Sequence, residues 1–599
     1  MYASRACDSC RRRKVKCNSK QPCANCRISN LICEFQGLRR QRGPKVAKRP
    51  VTCNSDAASP SESCTSANAA CPAPEPCEPG LATMSPVEEA TPMAAFNLPQ
   101  PHPSLTVDTP PSGGGGCHYS SLDEDYDGVE IHKRLTACLQ DLLPQRSAVD
   151  IGQECLDLFM QYMFPNTPII HEPTMRANIS LLLPENHTLF PNQPAASPKR
   201  LDQLSCYRAF TAITALSAHV VAALPASFVP HQDTIATTFL ETSRRMLRLY
   251  LVDDVDHPDS SSLMIRFWHA AAVQNTTGKA SIAWHIHGEA TMLALRLRLY
   301  DEAVVCMNPP IESKLLRANF WLLYLADQSA IALDTRISLL REPMFSGGLS
   351  LLERDDKDVP LLDMNKKINQ GAFESQISTG FHLKQRVWSS AAAVLANIPT
   401  YSSRKKNVFD TQQGDQERAE LELHLTESYI RFSAVLDDLP ASLRYPDDIG
   451  GSDKEVALYQ KTSFWTLRSN IMTTYYCVKL VILQSCLQHN VPEVLGLNNS
   501  SLAGEIKKVE ITQDFLHELQ IVPYMCFKAQ GEAAVERIRR VGSILLELSQ
   551  NAENDTIRQR AQSQFSKLLH MLAILDSKAS DELGEAEIPG GHPTYRQDS

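Results

Sequence analysis

From about residue 128 to 577 apolar residues recur at intervals of three and four, the spacing that lines one face of a helix, and clear alternating runs are few. The pattern predicts helices over Val129–Leu143, Ile151–Phe164, Cys206–Ala223, Thr234–Leu251, Ala280–Leu299, Ile311–Leu333, Leu421–Leu439, Tyr459–Leu487, Ala533–Leu548 and Ile557–Leu575. Breaks are expected at Pro165, Pro168 and Pro173, at Pro309-Pro310, at Pro343 with Gly347-Gly348, and over the polar stretch Ser402–Glu417. No fixed-period repeat emerges, so a solenoid is not expected. Residues 128–577 therefore read as one large all-α domain. Residues 37–127 are first basic and then rich in Pro, Ser, Ala and Glu, with Gly113–Gly116 and no apolar periodicity; they read as a disordered linker. Residues 578–599 read as an acidic disordered tail, although Asp581, Glu582, Glu585 and Glu587 around Leu583 and Ile588 also suit coactivator recruitment.

The head of the chain follows a different logic. Cys7, Cys10, Cys17, Cys23, Cys26 and Cys33 are spaced C-x2-C-x6-C-x5-C-x2-C-x6-C, a near-duplicated unit for which ordinary packing gives no reason. Zinc in a structural site takes four protein ligands in a tetrahedron. Six thiolates serve one zinc with two to spare, or two zincs if two sulfurs bridge; the second reading uses every cysteine. A module this small has too little apolar core to fold without its metal, so Zn2+, two ions per chain, is expected to be part of the fold.

Charge adds a partner. Residues 1–50 hold 14 Lys and Arg against Asp8 and Glu34, a balance of +12, whereas the whole chain carries −9. A basic head on an acidic body points to nucleic acid at one end and other partners elsewhere. Arg11, Arg12, Arg13, Lys14 and Lys16 are crowded between the second and third cysteines, on a segment long enough for one or two helical turns. Cations held there suit a phosphate backbone and guanine edges.

These first 45 or so residues, with the Cys7-Asp8-Ser9-Cys10-Arg11 opening, the basic run and Pro22 in the connecting loop, resemble the fungal binuclear zinc cluster (Zn2Cys6) transcription factors. The resemblance implies a DNA-binding domain over 1–36. It implies that Cys7 and Cys23 bridge the two metals, Cys10 and Cys17 completing one and Cys26 and Cys33 the other. It also places base contacts at Arg13 and Lys14, reading a CGG-like triplet in double-stranded DNA, with Lys14 the preferred reader. Arg11, Arg12, Lys16, Lys20 and Arg27 would then meet phosphates, which position without reading sequence. The basic segment with Arg39, Arg40, Arg42, Lys45, Lys48 and Arg49 reads as a nuclear localisation signal, together with Arg11–Lys14. Its Arg42-Gly43-Pro44-Lys45 element is similar to that of members activating maltose and sucrose use, and regulators of secondary metabolism share similar heads. Many relatives carry a dimerising coiled coil after the zinc module, but no run of three heptads stands here, so a homodimer and its half-site spacing are left open.

The body resembles the fungal-specific transcription factor middle domain. The similarity rests on Leu158–Tyr162 leading to Pro168–Thr174, on Gly288–Leu295 and on Phe320–Gln328. Relatives often have Asp-Arg where Asp327-Gln328 stands, so a local ion pair is expected to be altered. Little looks catalytic. His285 and His287 flank Ile286 beside Glu289, but on a helix residues two apart point about 200° apart and share no face. His171-Glu172 before Pro173 reads as loop structure, and Cys53, Cys64, Cys71 and Cys77 lack a repeated pair. There is no nucleophile elbow, P-loop or dinucleotide fingerprint. Neither a secretory signal nor a transmembrane helix is expected.

The sequence thus predicts a small Zn2Cys6 binuclear cluster domain, a disordered linker and a large all-α regulatory domain. The expected function is that of a nuclear, sequence-specific regulator of RNA polymerase II genes, a pathway-specific activator for sugar utilisation or secondary metabolite biosynthesis that works with transcription coactivators and is not an enzyme. The alternatives are a repressor, or a cytosolic enzyme or sensor with an accessory zinc module.

Overall fold

The computed structural model describes residues 17, 23, 26, 33, 127–190, 199–334, 336, 338–340, 359–406, 412–498, 500–575 and 577. The chain divides into two units, residues 1–116 and 117–599. Among the described residues of the second unit the regular elements are helices, and no strand occurs.

The longer helices among the described residues are α1 (Gly128–Leu142), α2 (Ala148–Tyr162), α3 (Lys199–Ala223), α4 (Gln232–Leu249), α5 (Ser260–Thr277), α6 (Ala280–Arg296), α7 (Pro310–Asp334), α8 (Phe373–Lys406), α9 (Gln412–Ser433), α10 (Lys454–Gln488), α11 (Ser501–Ile521), α12 (Glu532–Asn551) and α13 (Asp555–Leu575). Local sequence sets several of their starts. At α2 the Ser147 hydroxyl accepts the Asp150 N–H while the Asp150 carboxylate accepts the Ser147 N–H, satisfying two donors that a helix start leaves open. At α5 Asp259 caps in the same reciprocal way with Ser262, and Gly278 ends the helix at φ 69°, a conformation that costs glycine nothing.

The α3 helix packs on α2, α4 and α5, and α5 on α6. Most of the apolar interior forms one cluster from α1 to α10. A second cluster joins α10, α11, α12 and α13 through Leu480, Leu483, Phe515, Ile538, Leu545 and Leu568. The α10 helix belongs to both, with Leu467, Ile471 and Val478 in the first and Cys477, Leu480 and Leu483 in the second. A helix that buries apolar residues all round is a central one. The α3 stretch Asp202–Ala223 is long and apolar enough to cross a membrane, but its apolar 18-residue window is 83% buried in this body. It is a core helix, and the apolarity that its length and composition share with a membrane span is used inside the protein.

Close approach of α8 to α10 explains one glycine. A Cβ at Gly380 would run into the side chain of Leu467 and lie 3.1 Å from Leu443 Cδ1, both fully buried. In an exposed helix Gly→Ala gains up to about 1 kcal/mol of propensity, but overpacking costs about 1–3 kcal/mol. Gly380→Ala is therefore expected to lower the urea midpoint of the body; a raised midpoint would show that the two helices are free to separate.

Two sequence expectations need correction. The polar stretch Ser402–Glu417 is not a break throughout, because α8 runs to Lys406 and α9 begins at Gln412. Glu172 is not in a loop: it opens the short helix Glu172–Asn178, is 1% exposed, and accepts from Lys366 Nζ, Arg176 Nε, Asn369 Nδ2 and the Asp363 N–H. Its carboxyl stays below the usual range although burial alone would raise it, because these donors favour the charged form. It pins the segment around residue 363 to the start of the body, a structural duty. Asp327, fully buried in α7, accepts the Ser338 hydroxyl at 2.7 Å and the Leu339 and Leu340 N–H groups at 2.9 and 3.2 Å. Amide and hydroxyl donors to Asp327 thus tie the segment after α7 back onto the helix.

Candidate metal centre

In the first unit the described residues are four cysteines. Cys23 and Cys26 are fully buried, Cys33 nearly so, and Cys17 packs against them. The sulfurs of Cys23, Cys26 and Cys33 all lie within 4.8 Å of one another. Tetrahedral zinc with Zn–S bonds of about 2.3 Å sets its sulfurs about 3.8 Å apart, so the trio is close to the required spacing. The backbone gives the sulfurs donors as well: the Cys23 N–H reaches Cys33 Sγ at 3.2 Å, and the Cys26 N–H reaches Cys23 Sγ at 3.3 Å. An N–H aimed at sulfur stabilises the thiolate form that metal binding requires. Among the described residues Cys23, Cys26 and Cys33 form one buried cluster, with Cys17 packed against it. Three converging sulfurs that accept backbone N–H donors fit the zinc that their spacing implies.

The second CxxC unit, Cys23 to Cys26, explains this convergence. A C-x2-C turn returns its second thiol, with its N–H, to the first, and the six-residue step to Cys33 brings the chain back once more. The trio is the part that the resemblance assigns to one metal, with Cys7 as the shared fourth ligand; Cys7 and Cys10 lie outside the described residues. So do the expected DNA contacts Arg11, Arg12, Arg13, Lys14, Lys16, Lys20 and Arg27, and the basic segment with Arg39, Arg40, Arg42, Lys45, Lys48 and Arg49. The cysteines at 53, 64, 71 and 77 also lie outside them.

In the body, His285 and His287 point apart as helical geometry requires. The His285 side chain is 80% exposed and 3.6 Å from Glu289, while His287 is buried and stacks on Trp284 with centroids 4.9 Å apart. Burial drives His287 down to about 4, which keeps it neutral. Among the described residues the cysteine trio is the one group of His, Cys, Asp and Glu arranged to hold a metal ion. Sequence reasoning missed a cavity between the helices of the body. Its polar residues, Lys384 and Arg537 among them, come from helices far apart in the chain, and no local motif marks them.

Comparison with known proteins agrees with the cysteine pattern. The family model of the fungal Zn(2)-Cys(6) binuclear cluster domain matches residues 5–42. A C6 finger domain transcription factor of Pestalotiopsis fici is 29% identical over 177 residues, covering 28% of this chain and 23% of its own. A citrinin biosynthesis transcriptional activator of Monascus ruber is 52% identical over 42 residues, 7% of this chain and 8% of its own. A maltose fermentation regulatory protein of Saccharomyces cerevisiae is 49% identical over 43 residues, 7% and 9% of the two chains. The matches thus span less than a quarter of these relatives' lengths. No solved structure matches the chain. The spacing, the converging sulfurs and the family match together identify residues 5–42 as a fungal Zn(2)-Cys(6) binuclear cluster domain, which binds two zinc ions.

Proposed function

We propose that the protein is a nuclear, sequence-specific DNA-binding regulator of transcription, an activator dedicated to one pathway. The observation that carries the reading is the six-cysteine schedule with a basic run set inside it, three of whose sulfurs converge. Zinc supplies a rigid tetrahedral anchor for the chain; the rest is done by side chains. In this reading Cys7 and Cys23 bridge, Cys10 and Cys17 complete one metal, and Cys26 and Cys33 the other. Arg13 and Lys14 face base edges of a CGG-like triplet, where a cation donates to the O6 and N7 acceptors of guanine. Arg11, Arg12, Lys16 and Lys20 meet phosphates, and the segment with Arg39, Arg40, Arg42, Lys45, Lys48 and Arg49 directs the chain to the nucleus. The proposed division is 1–36 for DNA binding, 37–127 for the linker, 128–577 for the regulatory body and 578–599 for the tail.

The names of the relatives support an activator of sugar use or of secondary metabolism. Fusion of residues 128–577 to an unrelated DNA-binding domain distinguishes the sign, since an activator raises reporter output and a repressor lowers it. Homodimerisation on paired half-sites and coactivator binding belong to the same proposal. A cytosolic enzyme or sensor would function without zinc-dependent DNA binding. The residue assignment is tested at Lys14. Lys14→Ala in the full chain is expected to retain two zincs and to lose about 1–3 kcal/mol of discrimination between a CGG-containing duplex and its scrambled counterpart. Equal weakening on both duplexes would make Lys14 a phosphate contact.

A further inference from the structure

The helical body holds a partly open cavity of about 300 Å³, lined by α5, α6, α7, α8, α10 and α12 with His219 of α3. That volume lies at the lower end of the range for small-molecule sites, enough for a molecule of one or two rings. Much of the wall is apolar, with Phe267 from α5, Trp284 from α6, Leu322 and Leu325 from α7 and Trp388 from α8. Two buried cations interrupt it. Lys384 is 5% exposed; its ammonium donates to the Asn166 carbonyl at 2.6 Å and lies 4.9 Å from the Phe381 ring centre. Arg537 is 4% exposed; it donates through Nη2 to Gln530 Oε1, while its buried Nε has no partner.

Among the described residues no carboxylate pairs with either cation. The two acidic residues on the wall, Glu532 and Glu536, are drawn instead to Arg539 at 3.8 and 3.4 Å. Buried charges are ordinarily paired, because removing an ion from water is costly unless a partner replaces the water. Here burial pushes Lys384 down to about 7, and the neighbouring Arg537 acts in the same direction. His219 and His287, also on the wall, are held neutral by burial, and each has a buried ring nitrogen without a partner. Arg336 lies across the face of Trp284, 5.1 Å from the ring centre, and adds a third cationic side chain to the cavity wall. Perturbed cations and unused polar atoms in an apolar cavity are the marks of a site awaiting a complementary ligand.

We propose that this cavity binds a small organic carboxylate with a flat apolar or aromatic body. Lys384 and Arg537 take the carboxylate, and Trp284, Trp388 and Phe267 hold the body. The anion supplies the counter-charge that the fold leaves out, and the aromatic walls exclude water from the pair. Because the site is made from α5 to α8 together with α10 and α12, its occupation ties the two apolar clusters of the body to one another.

The test is a calorimetric titration of the full-length protein with 1-naphthoate and, separately, with its uncharged counterpart 1-naphthamide. Naphthoate is expected to bind one per chain and at least ten-fold more tightly than the amide. Lys384→Met and Arg537→Gln are expected to weaken naphthoate at least ten-fold and to leave the amide unchanged. Ala283→Leu, which fills the cavity without touching a charge, is expected to abolish binding of both while the far-ultraviolet circular dichroism stays that of the parent; it serves as the test should either charge variant fail to fold. Equal affinity for acid and amide, binding of neither, or parental affinity for naphthoate in the filled cavity would overturn the proposal. No DNA is present in the titration, so its outcome is separate from that of the DNA-binding reading.

Discussion

Cys23→Ala is expected to remove zinc from the head and DNA binding from the protein. Cys23 Sγ accepts the Cys26 N–H, and the Cys23 N–H donates to Cys33 Sγ, so this residue links both partners of the converging trio. As the proposed bridging thiolate it also contributes to both metals, and its loss leaves each ion three-coordinate. Structural zinc supplies about 10–16 kcal/mol of apparent binding energy in small modules, far more than a module of about 40 residues replaces by packing alone. Zinc measured by mass spectrometry on the full chain should fall from two towards zero, with CGG-duplex binding lost. The body, a separate unit with its own cores, should keep its parental urea transition. Two retained zincs with unchanged duplex affinity would contradict the assignment.

The second large effect lies in the body. Asp254, fully buried, accepts from Arg208 Nε at 2.8 Å, from Arg266 Nη1 at 2.7 Å and from the Ser262 hydroxyl at 2.6 Å. Arg266 is itself 2% exposed, and Arg208 also reaches the α5 cap Asp259 at 2.9 Å. One carboxylate therefore holds two arginines and the start of α5. Asp254→Ala takes the buried carboxylate from both arginines, leaving Arg208 with Asp259 and Arg266 with Glu289 at 3.8 Å, and removing one partner of a buried pair costs about 3–5 kcal/mol. A urea titration should show that loss in the body's transition. Glu241→Ala, which breaks an exposed pair with Arg245, should change it by about 0.5 kcal/mol or less. Similar small effects at both positions would mean that the network relaxes into water.

The contrast between these two sites shows what a sequence makes legible. Metal ligation in the head is local: all six cysteines fall between residues 7 and 33, and their spacing carries the chemistry. In the body, helices with one apolar stripe, such as α2, α4 and α12, were visible from periodicity. The α5 helix was missed because Leu263, Met264, Ile265 and Trp268 bury it on several sides, so that no stripe stands out. The α11 helix was missed for a related reason, since Lys508 and Glu518 are buried among apolar residues and blur the pattern. The α8 helix, with Gly380 and Pro399 inside it, carries two residues that argue against a helix. Gly380 is explained by the nearby Leu467, a contact that only the tertiary structure supplies. The Asp254 network and the Lys384–Arg537 cavity were illegible for the same cause, because their members meet only after distant helices pack.

The most direct test of the account is the affinity of the full-length protein for a CGG-containing duplex and for its scrambled counterpart, measured before chelation, after chelation and after zinc is restored. The account predicts a preference for the CGG duplex that disappears when zinc is removed, returns when two equivalents are added back, and weakens steeply in absolute affinity as salt rises. Equal affinity for the two duplexes, or a preference that survives chelation, would contradict it.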